Sequence, residues 1–367
     1  MKYSKIIPLI PLSLMLWATG ALSASQEVKF MTWNIWHGSQ DRHLAHDIES
    51  LQPNVMVLQE TYSRQDTIKA AFAKANNIKP ENVFSYTVSC FSNKQHNFTG
   101  AQDSCFPGNY ETNSGNGSAD NLTIWSIYPI TDYNTFDVTE TAVNTPKINQ
   151  FNYGAVKLDV KGTPLWVANF WLTSSYGAEQ YLNQLYIDKR DVEIRHYDSM
   201  IDEKQAIKGI LDKEAHRADQ AQQVVEKSKI LLDNADKEPI IMAGDGNSFS
   251  HLDWAEKWRD GHYGLTIPFP VSQVFMAAGL KDSYREAHPN PLIYPCSSWQ
   301  PQAADTPKPR TWSDREPTMT APGRIDYIYY KGSRLSVKES VCVGSVGGGA
   351  TGGTSDHAAV MTTFILN

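Results

Sequence analysis

Apolar residues recur along the chain mostly with a period of two or in short unbroken runs, and only in a few places with a helical period. Val28 to Asn34 alternates as a strand, Asp41 to Leu51 puts Leu44, Ile48 and Leu51 on one helical face, and Val55 to Leu58 is an unbroken strand run. Further strands are expected at Asn82 to Ser89, Leu122 to Ile127, Tyr153 to Val160, Leu165 to Trp171, Pro239 to Ala243, Ile325 to Tyr330, Val337 to Val343 and Ala358 to Phe364. One long helical region, Tyr176 to Lys237, is expected to break near Gly209. Its mixture of Glu, Lys, Asp, Gln and Ala reads as a solvated face, and residues 178–212 form a helical insertion whose lesser alternative is a lid. Phe91 to Asn121, rich in Asn, Gly and Ser, and Ala287 to Arg310, rich in Pro, read as loops. Neither a repeat nor a linker divides the chain, so one domain is expected.

The start of the chain follows a different pattern. Lys2 and Lys5 precede an apolar run from Ile6 to Ala21 that ends in small residues, the pattern of a secretory signal peptide over residues 1–24. The run is short and contains Pro8 and Pro11, which argues against a retained anchor. The mature domain is then 25–367, exported to the periplasm or the medium, with no integral membrane segment after cleavage.

Composition adds two constraints. The formal net charge is −7, or −9 without the two leader lysines, so the surface does not attract polyanions at long range. The 4 cysteines of an exported chain suggest two disulfides, with Cys90–Cys105 favoured as a local bridge and Cys296–Cys342 as the second. Their spacing matches no zinc site. Asn97, Asn116 and Asn121 sit in glycosylation triplets that matter only in a glycosylating host.

Candidate chemistry gathers at strand ends, where a rigid sheet aims side chains into a cleft. Asn34 ends the first strand, and Glu60 ends a buried-strand run. Asp245 and Asn247 follow Ile240 to Ala243 in a Gly-Asp-Gly-Asn turn. Asp326 opens a strand, and Asp356 and His357 precede another. His37 and His96 have no such context.

Taken in order, these fragments resemble the endonuclease/exonuclease/phosphatase superfamily, which includes secreted deoxyribonucleases, abasic-site endonucleases, neutral sphingomyelinases and inositol-phosphate phosphatases. The resemblance is carried by Thr32-Trp33-Asn34, Leu58-Gln59-Glu60, Asn169-Phe170-Trp171-Leu172, Gly244-Asp245-Gly246-Asn247, Arg324-Ile325-Asp326-Tyr327 and Ser355-Asp356-His357. Outside the motifs, Ser248 to Trp254 and Pro270 to Arg285 resemble a group of secreted bacterial members.

The resemblance implies a four-layered α/β sandwich, two packed mixed β-sheets flanked by helices. It implies a divalent-metal-dependent phosphoester hydrolase of the nuclease, phosphodiesterase or phosphatase type, in which water attacks without a covalent enzyme intermediate. Glu60, Asn34 and Asp356 are the implied ligands of Mg²⁺ or Mn²⁺, either directly or through water. His357, oriented by Asp326, takes a proton from the attacking water or stabilises charge on the phosphoryl group. Asp245 and Asn247 position the nucleophile and bind phosphate, with Asn169 and Trp171 on the substrate. Nucleic acid, a phospholipid head group and a small phosphoester all remain open as the substrate.

Trp171 departs from the family, which usually carries histidine there. Indole donates one hydrogen bond but moves no proton at ordinary pH, so weak turnover is expected. At the extreme, the chain is a silent phosphate-binding protein that keeps the fold. Residues two apart on a strand share a face, which is expected to put Trp171 in the cleft beside Asn169, the alternative being a core tryptophan turned away from the site.

Overall fold

Short apolar runs dominate because the central strands are buried on both faces. The computed structural model describes residues 25–36, 41–61, 64–88, 121–136, 147–149, 151–174, 178–299, 323–344 and 355–367. The expected leader, Cys90, Cys105, His37, His96, Asn97 and Asn116 lie outside them.

In chain order the elements are β1 (Gln26–Asn34), α1 (Asp41–Leu51), β2 (Val55–Gln59), α2 (Gln65–Ala75), β3 (Phe84–Thr87), β4 (Leu122–Ser126) and β5 (Ile130–Asn134). They continue with β6 (Tyr153–Val160), β7 (Thr163–Trp171), α3 (Ala178–Arg195), α4 (Glu203–Lys227), α5 (Lys229–Asp233) and β8 (Ile240–Asp245). The last are α6 (Pro270–Ala277), β9 (Lys281–Asp282), α7 (Ser283–Ala287), β10 (Asp326–Lys331), β11 (Leu335–Val343) and β12 (Ala359–Leu366).

The strands form two six-stranded sheets, ordered β11-β12-β1-β2-β4-β3 and β5-β6-β7-β8-β10-β9. Each is mixed, because β1 runs parallel to β2 and β7 parallel to β8, while their other neighbours are antiparallel.

Alternation along each strand builds the four layers. Phe30, Val55, Val57, Leu165, Val167, Ile241 and Ala243 meet between the sheets. Met31, Trp33, Met56 and Leu58 turn outward onto Leu44 and Ile48 of α1 and Ile68 and Phe72 of α2. On the opposite side Trp166, Ala168, Phe170 and Met242 pack on Ala221 and Val224 of α4, Leu232 of α5 and Phe275 of α6. This is the expected four-layered sandwich.

The parallel pairs deliver their ends to one edge. Asn34 lies opposite Gln59, Trp171 opposite Asp245, and β10 begins with Asp326 opposite Asp245. Gly244 makes the second of these possible, since a Cβ there would sit 1.8 Å from the carbonyl oxygen of Phe170 on β7.

The structure corrects several sequence expectations. The helical region breaks at 196–202, not near Gly209, which lies inside α4. The α3–α4 hairpin is fastened, since Leu182, Leu185, Tyr186, Ala206 and Ile210 share a core with Phe249, Trp254, Leu265 and Ile325. Nor is its charged surface all solvated. Glu214, Arg217 and Gln220 are fully buried: Glu214 pairs with Arg217, and Gln220 accepts from the Thr173 N–H and donates to its hydroxyl. Asn121 is buried and accepts from the Glu60 N–H, so it offers no surface for a glycan. Cys296 and Cys342 form the expected disulfide, with Cα atoms 5.5 Å apart.

Removing one partner of a buried ion pair leaves the other charge uncompensated. Arg217→Met should therefore lower the unfolding free energy by about 3–5 kcal/mol in urea titrations, and Glu214→Leu combined with Arg217→Met should recover most of that loss. Equal losses in the single and double variants would show that the two charges are not coupled.

Candidate active site

On the inner faces of the sheets the side chains change from apolar to polar toward this edge. Phe30 is followed two residues later by Thr32 and then Asn34, Val57 by Gln59, and Val167 by Asn169. Gln59 donates to Asn169 Oδ1 (2.7 Å) and to Thr32 (3.2 Å), and the Asn169 amide donates to the carbonyls of Leu58 (2.8 Å) and Thr123 (3.0 Å). This layer ties the two sheets together directly beneath the acids.

Above it, Asn34 donates from one amide nitrogen to Glu60 Oε1 (3.0 Å) and Asp245 Oδ2 (3.1 Å), while its carbonyl oxygen accepts the Trp36 N–H (3.0 Å). His357 Nδ1 lies 2.9 Å from Asp326 Oδ2, a contact that crosses from one sheet to the other. Oxygen and nitrogen atoms of Asp245, Asp326 and His357 all lie within 4.8 Å of one another. Asp356 Oδ1 is 4.0 Å from His357 Nε2.

This packing of acids moves their protons. Burial first, then the Asp326 charge, pushes the Asp245 carboxyl up to about 7 against the opposing pull of His357 and the Asn247 N–H. Burial also raises Glu60, opposed by its bond to Asn34 and by His357. Burial alone would lower His357, but the charge and hydrogen bond of Asp326, with Asp245 and Asp356 beyond, hold it up at about 10.

A cavity of about 270 Å³ opens on these groups, lined by Glu60, Asp245, Asn247, Asp356 and His357 and by Trp36, Trp171, Trp299, Ser174 and Ile325. Trp36, Glu60 and Asn247 have φ of 42°, 56° and 47°, a backbone region that is costly for side-chain-bearing residues and typical of functional sites. Asn247 closes its turn locally, its N–H on Asp245 Oδ1 (2.8 Å) and its amide on the Leu172 carbonyl (2.8 Å).

The structure thus brings His357, Asp326, Asp245, Asn247, Asn34, Glu60 and Asp356 to one place. Two assignments change. Asn169, expected on the substrate, is 0% exposed, with its amide committed to holding the sheets together, and it does not line the cavity. Asn34, expected as an oxygen ligand, instead presents its N–H groups to two carboxylates.

Trp171 shares the inner face with Asn169, belongs to the core between the sheets and lines the cavity, and its Nε1 has no hydrogen-bond partner among the described residues. Sequence reasoning missed Trp36, Trp299, Ser174 and Ile325 as wall residues. Trp36 and Ser174 each stand two residues beyond the end of a motif, and Ile325 lies inside one, so Trp299 alone of the four carried no such signal.

A model of the Endonuclease/Exonuclease/phosphatase family matches residues 31–357. A curated Caenorhabditis elegans relative, described as Uncharacterized protein F14F9.5, is 31% identical over 104 residues, 28% of this chain and 32% of that protein. The chain therefore matches about a third of that relative's length. Among solved structures, similarity extends to truncated TDP2 from Caenorhabditis elegans, with TM-score 0.48 and 13% identity over 92% of this chain and 97% of that one. The human Nocturnin catalytic domain with bound sulfate matches with TM-score 0.49 and 14% identity, covering 93% and 95% of the two chains. An endonuclease/exonuclease/phosphatase family protein from Bacteroides thetaiotaomicron gives TM-score 0.48 and 14% identity over 94% and 99%.

The raised His357 value has a consequence for stability. Protonation is favoured in the folded state, so the pair's contribution is complete below the unfolded imidazole value of 6.5 and is lost as pH rises through about 10. Urea denaturation of wild type and His357→Ala should show the larger stability gap at pH 6 and a smaller one above pH 10. A gap independent of pH would show that the imidazolium is not held by Asp326.

Proposed function

Since the chain belongs to the Endonuclease/Exonuclease/phosphatase family, whose members are metal-dependent phosphoester hydrolases, we propose that it is an exported enzyme hydrolysing phosphoesters with water and a divalent cation. The observation that carries this reading is the buried Asp245–Asp326–His357 cluster opening, beside Glu60 and Asp356, into a single cavity. Export is supported by the Lys2–Ala24 leader pattern and the Cys296–Cys342 disulfide.

The donor set fits a hard cation. It is built of carboxylates without a thiolate, and one buried oxygen of Asp326 has no hydrogen-bond partner. Glu60 and Asp356 are the residues that would hold Mg²⁺ or Mn²⁺ here, with Asn34 orienting Glu60 through its amide. A bound cation polarises the phosphoryl oxygen and offsets negative charge.

The chain's own residues divide the proton work. Asp245, ionising near neutrality, takes the proton of the attacking water as the new P–O bond forms, and Asn247 fixes that carboxylate through its N–H. His357, protonated and locked at Nδ1 by Asp326, supplies a proton from Nε2 to the departing oxygen. The Asp326–His357 pair expected from the resemblance is the alternative water-activating group, and the buried Asp245 carboxyl, raised toward neutrality, stands within reach of the same cavity. Trp171 favours a second reading, a weak or silent phosphate binder, because the usual imidazole is missing at that wall.

The deciding experiment is hydrolysis of plasmid DNA, RNA, sphingomyelin and a chromogenic phosphodiester, each with Mg²⁺ or Mn²⁺ and with chelator. Activity on at least one substrate that chelator abolishes supports the enzyme; phosphate binding without turnover supports the silent reading. With an active substrate and its cation present, kcat should rise with pH as Asp245 loses its proton and fall as His357 loses its own, each limb lying below the values of about 7 and about 10 that hold without cation. Asp245→Asn should lower kcat by about 10²–10⁴-fold, and Glu60→Ala should abolish metal-dependent turnover with the fold intact. Trp171→His should raise turnover of the generic diester. No change on any substrate would return Trp171 to a purely structural wall.

A further inference from the structure

We propose that Ser298, outside every motif read in the sequence, is a positioning residue for the Asp326–His357 pair. The inference rests on the reading of that pair as part of the catalytic machinery.

Asp326 and His357 stand at the first turns of strands in different sheets, so their 2.9 Å contact depends on how the two strand starts are set against each other. Ser298 joins them. Its Oγ accepts the N–H groups of both Ile325 and Asp326, each at 3.0 Å, and its carbonyl accepts the Ala358 N–H at 2.7 Å. The next residue continues the splice: Trp299 bridges to His357 and donates its N–H to the Gly323 carbonyl (3.2 Å). Ser298 is 0% exposed, so no water replaces an acceptor lost there.

The segment that carries Ser298 is itself anchored. Cys296 is bonded to Cys342 of β11, and the buried Arg285 guanidinium donates to the carbonyls of His288, Tyr294 and Pro295 while pairing with Asp253. A serine is matched on the other partner too. Ser355 Oγ donates to the Asn34 carbonyl (2.6 Å) and accepts the His357 N–H (3.0 Å), and Trp33 holds the His357 carbonyl (3.0 Å). With His357 fixed on its own sheet by Ser355 and Trp33, and Asp326 paired with β8, Ser298 is the link that sets the two strand starts directly against each other.

The test compares Ser298→Ala with Ser340→Ala, which also removes a buried hydroxyl but one bonded to Met361 within β11 and β12. On bis(p-nitrophenyl) phosphate with Mn²⁺, Ser298→Ala should lower kcat on the order of 100-fold with KM changed less than about threefold, because the reacting groups are displaced without loss of the binding wall. Ser340→Ala should keep kcat within about twofold. The NMR resonance of the His357 Nδ1 proton, which reports its bond to Asp326, should move in Ser298→Ala and stay in place in Ser340→Ala. If Ser298→Ala does not fold, Ser298→Cys, with a poorer acceptor, carries the same readouts. Unchanged kcat and resonance in the Ser298 variant, or equal losses in both, would overturn the proposal. A wild type without turnover would instead sink the hydrolase reading, and the proton resonance alone would then decide the positioning role.

Discussion

The site depends on the hydrogen-bonded layer that crosses from one sheet to the other at Asn169. Its acids and histidine come from both sheets: Asn34, Glu60 and His357 from the ends of β1, β2 and β12, and Asp245 and Asp326 from β8 and β10. Packed apolar side chains hold two sheets at a given spacing but permit sliding. The hydrogen bonds from Gln59 to Asn169 and from the Asn169 amide to the carbonyls of Leu58 and Thr123 do not, because any slip leaves buried polar groups unpaired. The layer thus converts two independently twisted sheets into one frame for a contact as short as Asp326 to His357.

A second constraint is charge. Glu60, Asp245, Asp326 and Asp356 crowd one end of the cavity, an arrangement tolerated because Asn34 donates to two of them and His357 carries a compensating proton. Behind the site the signs are balanced by pairing. Arg324, immediately before Ile325 and Asp326, is buried and donates to Asp253 and Asp282, and Arg285 also donates to Asp253. Asp253 is held below its ordinary value: burial would raise it, but the two guanidinium charges prevail. This network anchors the start of β10 from the side away from the cavity.

Much of this was legible in the chain. Strand ends bearing Asn34, Glu60, Asp245 and Asp326 showed as polar residues closing apolar runs, and their order pointed to the fold. Asn169 was read as a substrate contact because motif membership does not tell an amide facing a ligand from one facing the opposite sheet. The α4 seam was misread for a related reason: Glu214, Arg217 and Gln220 have the composition of a wet face, and only tertiary partners make their burial affordable. Ser298 gave no signal, since its function lies in three backbone partners more than twenty residues away in sequence.

The walls of the cavity bear on what it accepts. Among the described residues its lining includes three tryptophans and neither Lys nor Arg, and Glu60, Asp245 and Asp356 line it as well. Of the described lining residues, His357 is the one whose positive charge would attract a phosphoryl group. The formal net charge of −7 gives no long-range help either. What the site offers beyond charge is indole surface, which contributes most to the part of a substrate flanking the phosphate. On the proposed hydrolase reading, indole walls beside so few described charges make the group attached to the phosphorus the feature by which substrates would be told apart.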